Sequence, residues 1–359
     1  MAGGSGERFW PLSRHRYPKQ LLKIAGNRSM LGAAAERIAG LVLPQDVFVV
    51  TNRLLKPAIE AEAAGIPPGN VAAEPEGKNT AACLALACAL VRARYPAEPD
   101  LVMVVLTADH FIRDTDAFRR NCETAAAVAA DGDTLVTFGI PPDRPETGYG
   151  YIELGAPIQS APGAFAVASF REKPDMETAS EFQRSGRFLW NSGMFVWRVS
   201  ALEAAFATHL PDTAAQMEPM RRALAQADEP ALEAAFAPLQ KISIDVGILE
   251  RAGNVAVVRA DFDWDDIGTW ASLPRLMPED GDHNVVFGNS AALDCSGCVI
   301  YSVAESAAGA PPPLLVGYGL EDIVLVQTRD AVLAMPRSRV QQLKDLLAHL
   351  RSEGKDEYL

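Results

Sequence analysis

The chain has 359 residues, 48% of them hydrophobic, and a formal net charge of -13. This length allows one large domain and a smaller one, and the composition is typical of a globular chain rather than a disordered one. The acidic balance disfavours nucleic acid and anionic membranes as main partners, and no apolar run approaches the ~18 residues that a membrane helix needs. We therefore expect a globular, cytoplasmic protein without nucleic-acid or membrane partners.

The first stretch of the chain, residues 2–23 with the sequence AGGSGERFWPLSRHRYPKQLLK, combines a glycine bend with concentrated positive charge. Gly3, Gly4 and Gly6 allow backbone N–H groups to approach a bulky anion closely. Within the first thirty residues, Glu7 is the only carboxylate against six cations. These cations are Arg8, Arg14, Arg16, Lys19, Lys23 and Arg28. Such a combination suits a triphosphate, and the alternative is a glycine turn beside a solvated basic face.

Two common glycine motifs do not fit this stretch. A P-loop requires Gly-Lys-Ser/Thr, and in a dinucleotide fingerprint the third glycine would stand at Phe9. What remains, GGSGxR followed by PKQ, resembles the start of the sugar-1-phosphate nucleotidylyltransferases, and ERFWPLSRxxxPKQ is most similar to their mannose-1-phosphate guanylyltransferase branch. The resemblance implies that Arg8 and Lys19 contact a triphosphate. It also implies that the nucleotide is bound by Gly3, Gly4 and Gly6.

The same resemblance implies an architecture. It consists of an α/β catalytic domain over residues 1–282, with a Rossmann-like open mixed sheet flanked by helices, and a small β domain over residues 283–359 that is left-handed and β-helix-like. A glycine-rich phosphate loop normally follows a buried strand, and an apolar strand precedes it in this family. We therefore expect a further strand upstream of Met1.

The next elements alternate between helix and strand, which is typical of an open α/β sheet. Ser29 is positioned to cap a helix that reaches about residue 40, and the apolar run 47–50 predicts a buried strand. Six apolar residues, Leu101 to Leu106, predict a central strand that is covered on both faces and that ends just before Asp109. Ligands of open α/β sheets bind at the carboxyl ends of strands, and Mg²⁺ prefers one or two carboxylates plus phosphate oxygens. By itself, Asp109 would be better explained as a turn or helix-capping residue.

A polar segment, EPEGKNT over residues 74–80, separates two of these elements. It resembles the base-recognition segment of the guanylyltransferases, which implies that Glu74, Asn79 and Thr80 bind the guanine and its ribose. A carboxylate can accept hydrogen bonds from the N1–H and amino groups of guanine. The structural alternative is that Asn79 or Thr80 only caps the Ala-rich helix that follows.

Three later segments resemble the sugar-binding parts of these transferases: PETGYGYI (145–152), REKP (171–174) and WNSG (190–193). Without the resemblance, they are a turn into a strand, a solvated ion pair and a turn between core strands. The resemblance makes Lys173 the partner of the sugar phosphate. The residues that it makes sugar contacts are Glu146, Gly148, Tyr149, Glu172 and Asn191.

Four aspartates crowd the six residues 261–266, which is costly without a cation to neutralise them. The resemblance assigns Asp266 as a Mg²⁺ ligand together with Asp109. Asp265 stands where the family often has Ser. Two interpretations of Asp265 stay open: it repels phosphate, or it supports the ligand from behind.

Short apolar stretches separated by turns begin near residue 284 and predict the small β domain. Its final helix carries an apolar stripe formed by Val340, Leu343, Leu347 and Leu350. The stripe is expected to pack on its own chain, and burial in a homodimer is the second interpretation. Cys295 and Cys298 form one C-x-x-C without a second pair, so we expect reduced thiols rather than a metal site, and their role stays open.

By this resemblance, the chain transfers guanylyl from GTP to α-D-mannose 1-phosphate with Mg²⁺, giving GDP-mannose and pyrophosphate. Two alternatives remain. One is a nucleotidylyltransferase for another hexose 1-phosphate or nucleoside triphosphate. The other is a catalytically silent nucleotide-sugar sensor, which the retained Arg8, Lys19, Asp109 and Asp266 argue against.

Overall fold

The computed structural model describes residues 1–4, 6–24, 26, 28–63, 65–98, 100–304 and 311–359. Two sheets form the larger part of the molecule. The first is the parallel pair β1 (Val49–Asn52) and β2 (Val71–Glu74). The second contains β3 (Val102–Val105), β4 (Leu135–Ile140), β5 (Tyr151–Pro157), β6 (Ala164–Arg171), β7 (Phe188–Arg198) and β8 (Val255–Arg259), in the mixed order β3-β7-β4-β8-β6-β5. The predicted α/β architecture with an open mixed sheet is confirmed.

Helices cover these sheets. They are α1 (Met30–Arg37), α2 (Lys56–Glu62), α3 (Asn79–Arg94), α4 (Thr115–Ala130), α5 (Met176–Ser185), α6 (Val199–His209), α7 (Pro211–Gln226) and α8 (Glu229–Phe236). Of these, α1, α4, α5 and α8 begin at residues whose side chains cap them. The predicted cap of α1 is formed, because Ser29 Oγ accepts a hydrogen bond from the Gly32 amide at 3.0 Å. Among the described residues, no helix is both long and apolar enough to cross a membrane.

An apolar cavity of about 550 Å³ separates β1 from β3. At its mouth the Met1 amino group donates to the Leu106 carbonyl at 2.7 Å, and the Ala108 amide donates to the Met1 carbonyl at 3.0 Å. This is the hydrogen-bond pattern of a parallel ladder. On the other side the Ala2 amide donates to the Val50 carbonyl at 2.8 Å. The first two residues therefore join the two sheets at one end of the cavity.

The expectation that Leu101 to Leu106 is a central strand covered on both faces is wrong. β3 is the edge strand of its sheet, and Val102 is 39% exposed. The physical reason is the neighbouring cavity, since β3 pairs with β7 along one edge and lines the cavity with the other, and Met1 is bonded to Leu106 and Ala108 just beyond the strand.

Short strands follow residue 284, as predicted. They are β9 (Val285–Phe287), β10 (Ser290–Leu293), β11 (Val299–Ser302), β12 (Leu315–Tyr318), β13 (Ile323–Gln327) and β14 (Val332–Pro336). They form one sheet of order β14-β13-β11-β9 and a parallel pair β10-β12. The left-handed coil stays a prediction. Cys295 and Cys298 are buried free thiols whose Sγ atoms lie 3.4 Å from backbone carbonyls.

The C-terminal part shares a hydrophobic core with the first stretch of the chain. The terminal helix α9 (Leu343–Ser352) buries Leu343 and Leu347 in the same cluster as Phe9 and Trp10. The Trp10 indole N–H also donates to the Tyr358 carbonyl at 2.6 Å. Packing of the apolar stripe on its own chain is thereby confirmed, and the C-terminal part buttresses the basic stretch.

Candidate active site

The glycine bend lies directly on Lys19. Gly6 has a φ of +61°, and a Cβ at that position would stand 2.4 Å from the Lys19 backbone nitrogen, so only glycine fits. The Gln20 side-chain amide donates to the Gly4 carbonyl at 3.1 Å and is buried. Gln20 was missed as a site residue, although it is part of the PKQ motif. Its contact fixes the bend against the turn that carries Lys19.

Lys19 joins the two predicted metal ligands. It begins a short 3-10 turn and is 7% exposed. Its Nζ donates to Asp109 Oδ2 at 3.0 Å and to the Asp266 carbonyl at 2.5 Å. Burial would raise the pKa of Asp109, but the charge and hydrogen bond of Lys19, the neighbouring His110 and the Met1 amino group together hold the pKa below its usual value. The structure therefore brings Lys19, Asp109 and Asp266 into one network.

Backbone pairing holds the two acidic segments together. The Phe111 amide donates to the Asp265 carbonyl at 2.8 Å, and the Asp265 amide donates to the Phe111 carbonyl at 3.0 Å. One segment leaves β3 and the other follows β8, so two distant parts of the chain are fixed side by side. The neighbouring His110 Nδ1 accepts from the Trp264 indole at 3.1 Å, and burial lowers the pKa of His110 to about 4.

Tyr149, predicted as a sugar contact, lies on Asp266. Its hydroxyl donates to Asp266 Oδ1 at 2.6 Å, and its ring packs edge-on against Trp190 and Trp264. Burial, and next the charge of Asp266, raise the pKa of Tyr149, so the hydroxyl stays protonated and keeps donating. This tyrosine therefore orients the carboxylate of Asp266.

The two carboxylates fit Mg²⁺ only together with phosphate oxygens. Among the residues that the structure describes, no cluster of three or more His, Cys, Asp or Glu side chains could hold a metal ion. Asp109 and Asp266 each use one carboxylate oxygen in the contacts above. Mg²⁺ is typically bound by one or two carboxylates, with substrate phosphates and waters completing the octahedron. The donor set therefore suits an ion that arrives with a triphosphate.

Glu74 carries an unmatched acceptor beside the glycine bend. It ends β2 and is 7% exposed, and its Oε2 lies 3.2 Å from where a Gly3 Cβ would stand. Its Oε1 is buried and has no hydrogen-bond partner among the described residues. Burial raises the pKa of Glu74 to about 7. A buried acceptor without a donor points to an N–H group supplied from outside.

The rest of the 74–80 segment makes structural contacts. The ammonium of Lys78 donates to the Ala237 carbonyl, at the C-terminal end of α8, where a cation is favourable. Thr80 Oγ1 accepts from the Ile244 amide at 2.9 Å. The expected cap of α3 by Asn79 or Thr80 is wrong, because the residue before the helix is Lys78 and it forms no side-chain cap. Asn79, with a φ of +71°, accepts from the Thr80 amide instead.

The predicted sugar residues form a second polar cluster. Lys173 Nζ donates to Glu172 Oε1 at 2.6 Å. The other carboxylate oxygen of Glu172 lies so close to Gly150 that a Cβ added there would be only 2.6 Å from it. Asn191 Nδ2 donates to Asp245 Oδ1 at 2.8 Å. Burial, and next the charge of Glu172, raise the pKa of Asp245 to about 6. Asp245 belongs to a Ser-Ile-Asp segment, residues 243–245, that resembles a motif of these transferases, but it was not among the predicted site residues.

An aromatic link connects the two clusters. Trp190, next to Asn191, packs against Tyr149 with ring centroids 5.2 Å apart. On its other side the Arg144 guanidinium lies 4.9 Å from the Trp190 ring, within 3.6 Å of Glu146. Glu146 Oε1 in turn accepts from the Gly148 amide at 3.0 Å. The predicted residues Glu146 and Gly148 thus belong to this link.

Arg8 is not part of either cluster. It lies in the 3-10 turn Glu7–Phe9, in which Phe9 is buried and Arg8 itself is exposed. Within the described residues it forms no ion pair. An exposed cation therefore directly follows the glycine bend in the chain.

Comparison with known proteins decides the family. A family model described as nucleotidyl transferase matches residues 1–282. The chain belongs to the nucleotidyl transferase family. It is 38% identical to the mannose-1-phosphate guanylyltransferase of Escherichia coli K12 over 100% of this chain and 74% of that protein. It is also 38% identical to the xanthan biosynthesis protein XanB of Xanthomonas campestris pv. campestris B100, over 99% of this chain and 73% of the relative.

A solved structure extends the likeness to three dimensions. The crystal structure described as mannose-1-phosphate geranyltransferase from Thermus thermophilus has a TM-score of 0.85 and 35% identity, and the match covers 98% of each chain. As a nucleotidyl transferase, the chain is an enzyme. The Lys19 network is the part of its geometry that suits the transfer of a phosphate-linked group, since it places a buried cation beside the Asp109 carboxylate and the main-chain carbonyl of Asp266.

Proposed function

We propose that this nucleotidyl transferase moves a guanylyl group from GTP to α-D-mannose 1-phosphate and releases pyrophosphate. The observation that carries the proposal is the Lys19 ammonium, held between Asp109 and Asp266 against the glycine bend. The sugar cluster lies one aromatic contact away, through Tyr149 and Trp190. Relatives with the guanylyltransferase name support the choice of substrates.

The reaction needs no general base, because the phosphate of the sugar already carries a nucleophilic oxyanion. Catalysis then depends on in-line positioning and on neutralising charge at the α-phosphate. Lys19 and Arg8 would bind the triphosphate, and Lys173 would hold the incoming sugar phosphate. Asp109 and Asp266 would hold the Mg²⁺, which when bound supplies charge neutralisation at the phosphates.

The acceptor on Glu74 supports guanine as the base. Guanine offers an N1–H and an amino donor on its Watson–Crick edge, whereas the N1 of adenine is an acceptor. The buried Glu74 oxygen, which has no partner among the described residues, would accept a hydrogen bond from guanine. It would face the N1 acceptor of adenine, which is unfavourable. Unpaired buried polar groups are strong sources of discrimination between substrates.

A substrate panel tests the proposal. Pyrophosphate release is measured for GTP, ATP, UTP and CTP, each with mannose, glucose and galactose 1-phosphates and Mg²⁺. We expect the highest kcat/KM for GTP with mannose 1-phosphate. A preference for another sugar or nucleotide would support the broader transferase alternative, and GTP binding without pyrophosphate release would support the sensor.

The role of Lys173 is tested by its effect on one substrate. Lys173→Met should raise the KM for mannose 1-phosphate and leave the KM for GTP unchanged, because only the incoming phosphate would meet its ammonium. Lys344→Met, on the exposed side of α9, is the matched control. Equal changes in both KM values would contradict this role.

A further inference from the structure

Asp265 forms the most fully bonded carboxylate of the acidic run 261–266. Its Oδ2 accepts from Arg275 Nε at 2.5 Å, and its Oδ1 accepts from Arg275 Nη2 at 3.0 Å. The same Oδ1 accepts from the Ile267 amide at 2.7 Å. The Asp265 side chain is 9% exposed and that of Arg275 is 38% exposed. Such a two-pronged ion pair fixes both distance and orientation.

The bonds of Asp265 hold the backbone on both sides of Asp266. Before Asp266, the main chain of Asp265 exchanges two hydrogen bonds with Phe111. After Asp266, the Asp265 carboxylate holds the amide of Ile267, whose φ of +43° is rarely adopted by a β-branched residue. In this arrangement the Asp266 carboxylate accepts from the Tyr149 hydroxyl, and the Asp266 carbonyl accepts from the Lys19 ammonium.

Arg275 connects this turn to a rigid part of the molecule. It belongs to a 3-10 segment, Trp270–Arg275, that begins with a capping box formed by Thr269 and Ser272. Trp270 and Leu273 of this segment are completely buried in the core shared by the first stretch and the C-terminal strands. The guanidinium therefore approaches Asp265 from a fixed base.

We propose that the Asp265–Arg275 ion pair is a positioning device that sets the Asp266 carboxylate for the metal. The sequence left two interpretations of Asp265 open. The proposal favours the second, in which Asp265 supports the metal ligand Asp266 and does not repel phosphate. A hydroxyl, as the family often has at this position, could not accept two bonds from one guanidinium in the same two-pronged geometry. The proposal rests on the proposed function, in which Asp266 is a metal ligand.

The test compares Asp265→Asn with Asp263→Asn, the same change two residues earlier. Asp263 is the matched control because its carboxylate accepts from the Arg113 and Asp114 amides and forms no hydrogen bond to Asp266. Removing a group that supports a metal ligand typically costs about 10–100-fold in metal affinity or activity. We expect Asp265→Asn to need about tenfold more Mg²⁺ for half-maximal rate, with KM for mannose 1-phosphate unchanged and with kcat restored by excess Mg²⁺.

A second readout does not depend on activity. Hydrogen exchange of the amides at 264–268 should accelerate in Asp265→Asn and stay unchanged in Asp263→Asn. Arg275→Lys keeps the charge but loses the two-pronged geometry, so it should fall between wild type and Asp265→Asn. If Asp265→Asn does not fold, Arg275→Lys alone carries the test.

Two results would overturn the proposal: wild-type Mg²⁺ dependence in Asp265→Asn, or a loss of rate that excess Mg²⁺ does not restore. Asp266→Asn separates this failure from a failure of the assigned metal ligand, and the substrate panel tests the transfer reaction itself. An active Asp266→Asn overturns the role of Asp266 as a metal ligand, and with it the positioning device. An inactive Asp266→Asn beside a normal Asp265→Asn overturns only the positioning device.

Discussion

The two edges of β3 differ sharply. One edge pairs with β7 from Val102 to Val105 in continuous antiparallel register. The other edge faces the apolar cavity, and Met1 pairs with Leu106 and Ala108 beyond the carboxyl end of the strand. Nevertheless Asp109, which follows β3, lies in the best-connected polar network of the site. The difference teaches that the reactive groups are held by polar contacts beyond the carboxyl end of β3. Pairing along both edges of this strand is not required.

The largest effect is expected from disrupting the polar network of Lys19, Asp109 and Asp266. Lys19→Met removes the ammonium from Asp109 and from the Asp266 carbonyl. Loss of one preorganised donor typically costs ~10²–10³ in kcat, and we expect a loss of that size. Steady-state pyrophosphate release measures it, with Lys23→Met, an exposed lysine of the same stretch, as the control. A near-wild-type kcat would contradict the role of the network.

Glu74 is a buried carboxylate beside the glycine bend, and its titration should affect stability. Its pKa is about 7 in the folded protein, against an ordinary value of 4.5. The folded state therefore holds this proton more tightly than the unfolded state. The contribution of Glu74 to the free energy of unfolding is largest below pH 4.5 and is lost as the pH rises towards 7. Relative to Glu74→Gln, the wild type should lose about 3 kcal/mol across this window and nothing more above it.

Urea unfolding of both proteins between pH 4.5 and 8 measures this difference. Glu76→Gln is the control, since Glu76 is 70% exposed. A stability difference between Glu74→Gln and wild type that does not change with pH would contradict the prediction.

A smaller effect is expected at the glycine bend. Gly6→Ala places a Cβ 2.4 Å from the Lys19 nitrogen at a φ of +61°, and such strain typically costs about 1–3 kcal/mol. Gly163→Ala has a φ of +88° but open space around it. Both variants should lower the Tm, and only Gly6→Ala should raise the KM for GTP. An unchanged KM for GTP in Gly6→Ala would show that the glycine bend does not contribute to GTP binding.

The smallest effect is expected from filling the cavity. About five apolar residues added before Met1 would continue its parallel ladder along β3, at ~3.3 Å per residue. They would also convert the Met1 amino group, whose pKa burial lowers, into a neutral amide that still donates. Each kcal/mol gained should raise the Tm of a chain of this length by about 1–2 °C. An equally long Ser/Pro extension is the control, and equal Tm values for both would contradict the prediction.

The sequence predicted elements whose signals are local. The cap at Ser29, the strands after residue 284 and the apolar stripe of α9 all depend on residues within one turn or strand. The motifs at Asp109 and Asp266 also led to the right neighbourhood, because both follow strands of one sheet.

Contacts between distant residues could not be predicted in this way. The hydroxyl of Tyr149 meets Asp266 across 117 positions, and Thr80 meets the Ile244 amide across 164. Neither partner is visible in a local pattern. The burial of β3 was mispredicted for the same reason, since six apolar residues do not reveal which strand, if any, lies beside them.

The most direct test of the account is the position of the metal. Crystals grown with GTP and Mn²⁺ in place of Mg²⁺ give an anomalous signal that locates the ion. The account predicts an ion bound by carboxylate oxygens of both Asp109 and Asp266, facing the glycine bend at Gly6. An ion that contacts neither carboxylate in a complex with ordered GTP would contradict it.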